Sequence, residues 1–175
     1  MDAVTARPDF DEVFRAEYAG VVRVARGLGV PASDAEDVAQ SVFLIAHRRF
    51  HTYEPYRPVR AWLFGITRRV VKDHRRASGR LAARERARVV EPQQPELPDE
   101  AAARSEAVEL VEQILGGMRE QWRVPFVLAE LEGYTAPEIA EATGWKLPTV
   151  YTRLRRARAH FEKQRDAHAR GKETR

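Results

Sequence analysis

Arg153, Arg155, Arg156 and Arg158 stand within one short stretch, with Tyr151 and Thr152 just ahead of them and Lys146 and Thr149 a few residues earlier. Guanidinium forks of this kind fit guanine edges and phosphates, and a ring and a hydroxyl add softer contacts to bases. Val150, Leu154, Ala157 and Phe161 recur at i, i+4, i+7 and i+11 through the same stretch, so a helix here buries one apolar stripe and turns its basic side chains outward. Ahead of it, "YTAPEIAEATG" places Thr135 three residues before Glu138, with Pro137 in the first turn and Gly144 at the end. That order predicts a capped short helix, a left-handed glycine turn and a second helix, which is a helix-turn-helix. Tyr151, Thr152, Arg155 and Arg156 then face base edges, while Lys146, Thr149, Arg153 and Arg158 mainly meet phosphates.

The charge is unevenly spread over the 175 residues. Formal net charge is +4. Arg68 to Arg88 carries nine basic against two acidic residues, Lys146 to Arg165 seven against one, and Glu91 to Glu109 six acids against one arginine. Two basic blocks flanking an acidic spacer point to a polyanionic partner. With no cysteine, the sequence excludes disulfides, thiol nucleophiles and cysteine-based zinc sites. His47 and His51 are four apart, but no acidic third ligand falls at a regular offset, so no metal site is expected. Asp73 beside His74 sits among arginines and reads as a charge cluster rather than an acid–base pair. No nucleophile motif, phosphate-binding loop or cofactor fingerprint is present, so neither an enzyme nor a cofactor is expected. The apolar runs "SVFLIA" and "VPFVLAEL" are far shorter than a membrane span, which makes direct membrane insertion an unsuitable reading and a cytoplasmic protein the expectation.

The elements that position these residues are helical throughout, since no segment alternates with period two. "ASDAEDVAQSVFLIAHRRF" has Ser33 three residues before Glu36, which predicts a capping box followed by a helix burying Val38, Val42, Ile45 and Ala46. "HTYEPYRP" reads as a loop, and "VRAWLFGITRRVVKDHRR" as a helix with basic outer faces on which Trp62 is a core side chain. The proline-rich, acidic "EPQQPELPDEAAA" reads as a linker with a coil span of roughly 25 Å. The expected architecture is all-α: two small helical domains, 9–80 and 106–164, joined by a flexible linker over 81–105 and followed by a charged tail over 165–175.

Both halves carry a resemblance. "DAEDVAQSVFLIAHRRF" with "RAWLFGITRRVVKDHRR" resembles region 2, and "ELEGYTAPEIAEATGWKLPTVYTRLRRAR" resembles region 4, of bacterial RNA polymerase sigma factors of the extracytoplasmic-function group. The resemblance implies core RNA polymerase as partner, through its β′ clamp helices and β flap, together with promoter DNA. It also implies an anti-sigma factor that holds the chain inactive. Asp34, Asp37, Gln40 and Phe43 become the polymerase-docking segment, in which Phe43 is either an interface anchor or a core side chain. The −10 element falls to His51, Tyr53 and Tyr56 as stacking or pocket rings, with Arg57, Arg60, Arg68, Arg69, Lys72, Arg75 and Arg76 on phosphates; base stacking on such rings returns about 1–3 kcal/mol per base. The helix-turn-helix falls to the −35 element. Arg69, Ser41 and Pro125 depart from the family pattern, Pro125 where a continuous helix is usual. The alternatives are a stand-alone helix-turn-helix regulator and an adaptor whose basic helices bind acidic protein surfaces.

Overall fold

The computed structural model describes residues 7–86 and 102–173, and among the described residues there is no strand. The all-α expectation therefore holds. In the first half α1 (Phe10–Gly27), α2 (Ala32–Arg49) and α3 (Val59–Arg86) pack on one another, with a 3-10 turn (Phe50–Thr52) and a short loop between α2 and α3. Asp9 caps α1 by accepting the Asp11 N–H at 2.7 Å, and Asp11 and Glu12 place negative charge where the helix dipole favours it.

The capping box expected at Ser33 does not form. α2 starts two residues earlier than that box requires, after Pro31, whose fixed φ of −56° leads into the helix and whose side chain cannot cap it. Ser33 lies inside the first turn and its hydroxyl donates to Asp34 Oδ1 at 2.6 Å.

The second half comprises α4 (Ala102–Gly117), α5 (Glu120–Phe126), a wide turn (Val127–Leu131), α6 (Ala136–Thr143) and α7 (Leu147–Glu173). Pro125 does not break the chain's helical course. It lies within α5, where its missing N–H leaves the Gln121 carbonyl without the usual helical donor. The backbone then widens, so that Glu132 N–H reaches Val127 O at 3.2 Å, an i→i+5 bond. Helices also occupy both ends of the segment expected as linker, α3 running to Arg86 and α4 beginning at Ala102; the rest of that segment lies outside the described residues. The charged tail is likewise helical as far as Glu173, consistent with its content of Ala, Arg, Lys and Glu.

Each half has a private core. Val13, Val21, Val42, Phe43 and Leu63 form one between α1, α2 and α3, and Leu115, Met118, Phe126 and Ala157 form another among α4, α5 and α7. A third core is shared, and it joins Val24, Leu28, Val38, Phe64 and Val71 of the first half to Val124, Leu128, Ile139, Val150 and Leu154 of the second. The backbones approach closely at Gly27, where a Cβ would lie 2.8 Å from Val127 Cγ1. At about 1.5–3 kcal/mol for each buried aliphatic side chain, this shared core outweighs the ion pairs around it as the cause of the closed arrangement.

Candidate nucleic-acid interface

The helix-turn-helix forms as the sequence dictates. Thr135 accepts the Glu138 N–H at 3.4 Å while its own N–H donates to Glu138 Oε2 at 2.8 Å, a complete capping box, and Pro137 sits in the first turn of α6. Gly144 ends the helix at φ 70°, a backbone state that glycine adopts without the Cβ penalty. Ile139 of α6 and Val150, Leu154 and Ala157 of α7 are buried, which fixes the rotation of α7 about its axis. Its outer face therefore presents Tyr151, Thr152, Arg155 and Arg156 to solvent, with Lys146 exposed just before it.

These side chains are not equally available. Arg155 and Arg156 form no ion pair among the described residues, whereas Arg158 donates from Nε to Glu130 Oε1 at 2.8 Å. Arg153 is half-buried, its guanidinium 3.9 Å from the centre of the Trp145 ring and one of its terminal nitrogens buried without a partner. The Thr152 hydroxyl donates back to Pro148 O at 3.0 Å, and Thr149 is half-buried. Arg155 and Arg156 are thus the two unengaged forks of α7.

In the first half the expected stacking residues separate. Tyr56 is 73% exposed at the tip of the loop before α3, its hydroxyl donating to Glu54 Oε2 at 2.7 Å, with the Arg57 guanidinium 5.7 Å from its ring. His51 is exposed as well. Tyr53 is not available to a base: it is buried, stacked on Phe50 at 5.7 Å, close to Trp62, and donates its hydroxyl to Arg57 O at 2.6 Å. Arg69 is exposed and lines a 570 Å³ groove between α2 and α3 with Arg48, Arg49 and Trp62. Lys72, Arg75 and Arg76 are exposed further along α3.

On α2, Asp37 and Gln40 are exposed, while Asp34 lies 3.1 Å from His74 Nε2. Phe43 belongs to the core and is only 4% exposed, ringed by Phe10, Phe14 and Tyr18, which decides the alternative left by the sequence. The exposed apolar side chain on the Asp37 and Gln40 face is Leu44, at 61%; its i+4 spacing from Gln40 was the available signal.

Two of the expected phosphate ligands are engaged across the shared core. Arg60 donates to Glu138 and lies 4.3 Å from the Tyr134 ring centre, and Arg68 donates to Glu120 at 2.9 Å. Arg23 grips Glu132 with two bonds of 2.8 Å, and Arg26 donates to Glu112 at 2.7 Å. All four pairs link the first half to the second, and the exposed ones contribute about 0–1 kcal/mol each, so they set register more than stability. Arg60, followed by the Thr135 N–H, lowers the Glu138 carboxyl from 4.5 to about 2. Because the folded value is depressed, the stabilisation is fully present above about pH 4.5 and is lost as the pH falls towards 2. Carboxyl NMR titration should therefore find Glu138 protonating near 2, and Arg60→Gln should raise that value without restoring 4.5, since the Thr135 N–H remains. A wild-type value near 4.5 would remove the Arg60 pair.

Among the described residues no helix is long and apolar enough to cross a membrane. Residues 13–81 match the family model for Sigma-70 region 2 and residues 109–161 that for Sigma-70, region 4. RNA polymerase sigma factor CnrH of Cupriavidus metallidurans is 30% identical over 167 residues, spanning 90% of this chain and 87% of that protein. The ferric citrate uptake sigma factor FecI of Escherichia coli is 30% identical over 130 residues, 74% of this chain and 75% of its own. A structure of CnrH in complex with the cytosolic domain of CnrY superposes with a TM-score of 0.70 at 28% identity, covering 90% of this chain and 88% of that one. The sigma factor RpoE of Bartonella quintana, solved with the anti-sigma factor NepR, shares the fold at a TM-score of 0.70 and 20% identity. With region 2 and region 4 in order, a helix-turn-helix whose α7 carries two unengaged arginine forks, and 31% identity over 156 residues to the ECF RNA polymerase sigma factor SigE of Mycolicibacterium smegmatis, the chain belongs to the extracytoplasmic-function group of sigma-70 RNA polymerase sigma factors.

Proposed function

We propose that this sigma factor reads the −35 element through Tyr151, Thr152, Arg155 and Arg156 of α7, with Lys146, Thr149, Arg153 and Arg158 on the flanking phosphates. The observation that carries the reading is the outward row of α7 behind a capped α6 and the left-handed turn at Gly144. Residues 106–164 act as the −35 domain and residues 9–80 as the domain that docks on core polymerase and reads the −10 element. Docking uses the exposed face of α2 bearing Asp37, Gln40 and Leu44, with Asp34 at its edge; an apolar anchor within a polar rim suits such a contact. The non-template strand of the −10 element lies over Tyr56 and His51, with Arg57, Arg69, Lys72, Arg75 and Arg76 along its phosphates. Arg60 and Arg68 join them only when Glu138 and Glu120 are displaced, so promoter engagement requires the two halves to part.

The chain acts in the cytoplasm as an initiation factor, and the chemistry of RNA synthesis stays with the polymerase. CnrH, which is similar along most of its length, is found bound to the cytosolic domain of CnrY, and this supports a protein partner of the anti-sigma kind for this chain. Tyr56→Ala tests the −10 reading. In the full chain with core polymerase it should reduce strand opening, read by permanganate reactivity of unpaired thymines, about tenfold, the equivalent of about 1.4 kcal/mol and within the range for one stacked base. Binding to a −35 duplex should be unchanged. Unaltered opening would remove Tyr56 from the −10 contact.

A further inference from the structure

A cleft of about 270 Å³ opens where α3 of the first half meets α5 of the second. Arg68, Lys72, Arg75 and Arg76 reach it from α3, where spacings of four and three residues keep Arg68, Lys72 and Arg75 on one face and Arg76 borders it. Arg123 reaches it from α5, and among the described residues the only carboxylate in its lining is Glu120, which Arg68 already engages at 2.9 Å. Val71 and Val124 supply an apolar floor. Arg76 has only a loose contact with Asp73, at 3.9 Å, and Lys72 and Arg75 form no ion pair among the described residues.

Arg123 is the unusual member. It is 4% exposed, one terminal nitrogen donates to Leu115 O at 3.3 Å, and its Nε is buried with no partner. Burial, and then the nearby Arg75, push its pKa down, with Glu120 acting in the opposite sense. A buried guanidinium with an idle donor beside a second cation is costly unless an anion completes the set. A single protein carboxylate is too small a charge for a cleft holding five cations and one carboxylate, whereas an anion of charge −2 or more, with several oxygens for arginine forks, matches it.

We propose that this cleft binds a small phosphate-bearing anion, held by Arg123 and by Lys72, Arg75 and Arg76. Since its ligands come from both halves, the anion binds the closed arrangement and favours it over the parted one. It also occupies cations that the reading above gives to the −10 strand. That competition rests on the proposed function; the binding itself does not.

The test is calorimetric titration of the full chain with pyrophosphate, at ionic strength held constant with sodium chloride. Saturable binding of one pyrophosphate per chain is expected, weakened at least tenfold in Lys72→Ala/Arg75→Ala, whose two exposed positions leave the apolar cores intact. Arg123→Met should abolish it, but the double variant carries the test should Arg123→Met fail to fold. Heat that only tracks ionic strength, or binding that survives the double variant unchanged, would overturn the proposal. A nucleoside diphosphate binding more tightly than pyrophosphate would place its base on the apolar floor, and equal or weaker binding would make the ligand inorganic. A single-stranded −10 oligonucleotide should weaken pyrophosphate binding; if it binds without doing so, the −10 role of these cations fails and the anion site stands.

Discussion

Leu128→Ala should destabilise the whole chain by about 2–5 kcal/mol, in one unfolding transition. The side chain is fully buried in the shared core, and truncating a buried leucine loses its transfer free energy and leaves a cavity that neighbours fill only in part. Collapse is hindered here because the surroundings are fixed from both sides. Its backbone carbonyl accepts the Tyr134 N–H at 2.9 Å, and the turn that carries it lies against α1 at Gly27. Leu128→Met, close to the original volume, should cost less than about 1.5 kcal/mol. Urea denaturation followed by circular dichroism and by tryptophan fluorescence checks both numbers; Trp62 reports the first half and Trp122 and Trp145 the second. Coincident transitions in the wild type, shifted together by Leu128→Ala, are expected of a core common to both halves. Two separated transitions, of which only one moves, would show that each half folds on its own core.

Arg156→Ala should weaken binding to −35 duplex DNA by about 1–3 kcal/mol, about five- to 150-fold, and the loss should depend on the base it faces. Arg156 is exposed, projects from the row opposite the buried stripe of α7, and has no carboxylate holding it among the described residues. Arg158→Ala is the useful contrast. Its guanidinium is already held by Glu130, so its loss should be smaller and similar for all sequences, with a salt dependence reduced by about one phosphate contact. Binding measured against a set of single-base −35 variants separates these outcomes. An equal loss on every sequence for Arg156→Ala would make it a phosphate contact.

The helix-turn-helix was legible because each of its parts is local. Thr135 and Glu138 satisfy each other's backbone groups within one turn, Gly144 answers a single backbone requirement, and Val150, Leu154 and Ala157 follow one helical stripe. Where the local signal misled, a neighbour outside its window had prevailed. Ser33 and Glu36 match the capping pattern, but Pro31 starts α2 earlier. Tyr53 and Phe43 are the same chemical types as exposed binding residues, yet seven aromatic rings of the first half gather and draw both into the core.

The contact between the halves had no local signature at all. Arg23 and Glu132 are 109 residues apart and Arg60 and Glu138 are 78 apart, and nothing in either neighbourhood marks them as partners. Arg123 did leave a trace. It is the one cation within the apolar run "WRVPFVLAEL", and a charge in such a run is either paired or functional when buried. Glu138 reads only as half of a capping box, and Glu112, Glu120 and Glu132 belong to no motif, yet all four engage arginines of the other half.

Run-off transcription from fragments of the host genome, with core RNA polymerase and with or without this chain, is the most direct measurement. New transcripts that start only in its presence, downstream of shared −35 and −10 elements, and that weaken with Arg156→Ala at those same promoters, are the expected result. Tight binding of the chain alone to duplex DNA, with no polymerase-dependent start sites, would contradict it and make the protein a stand-alone regulator.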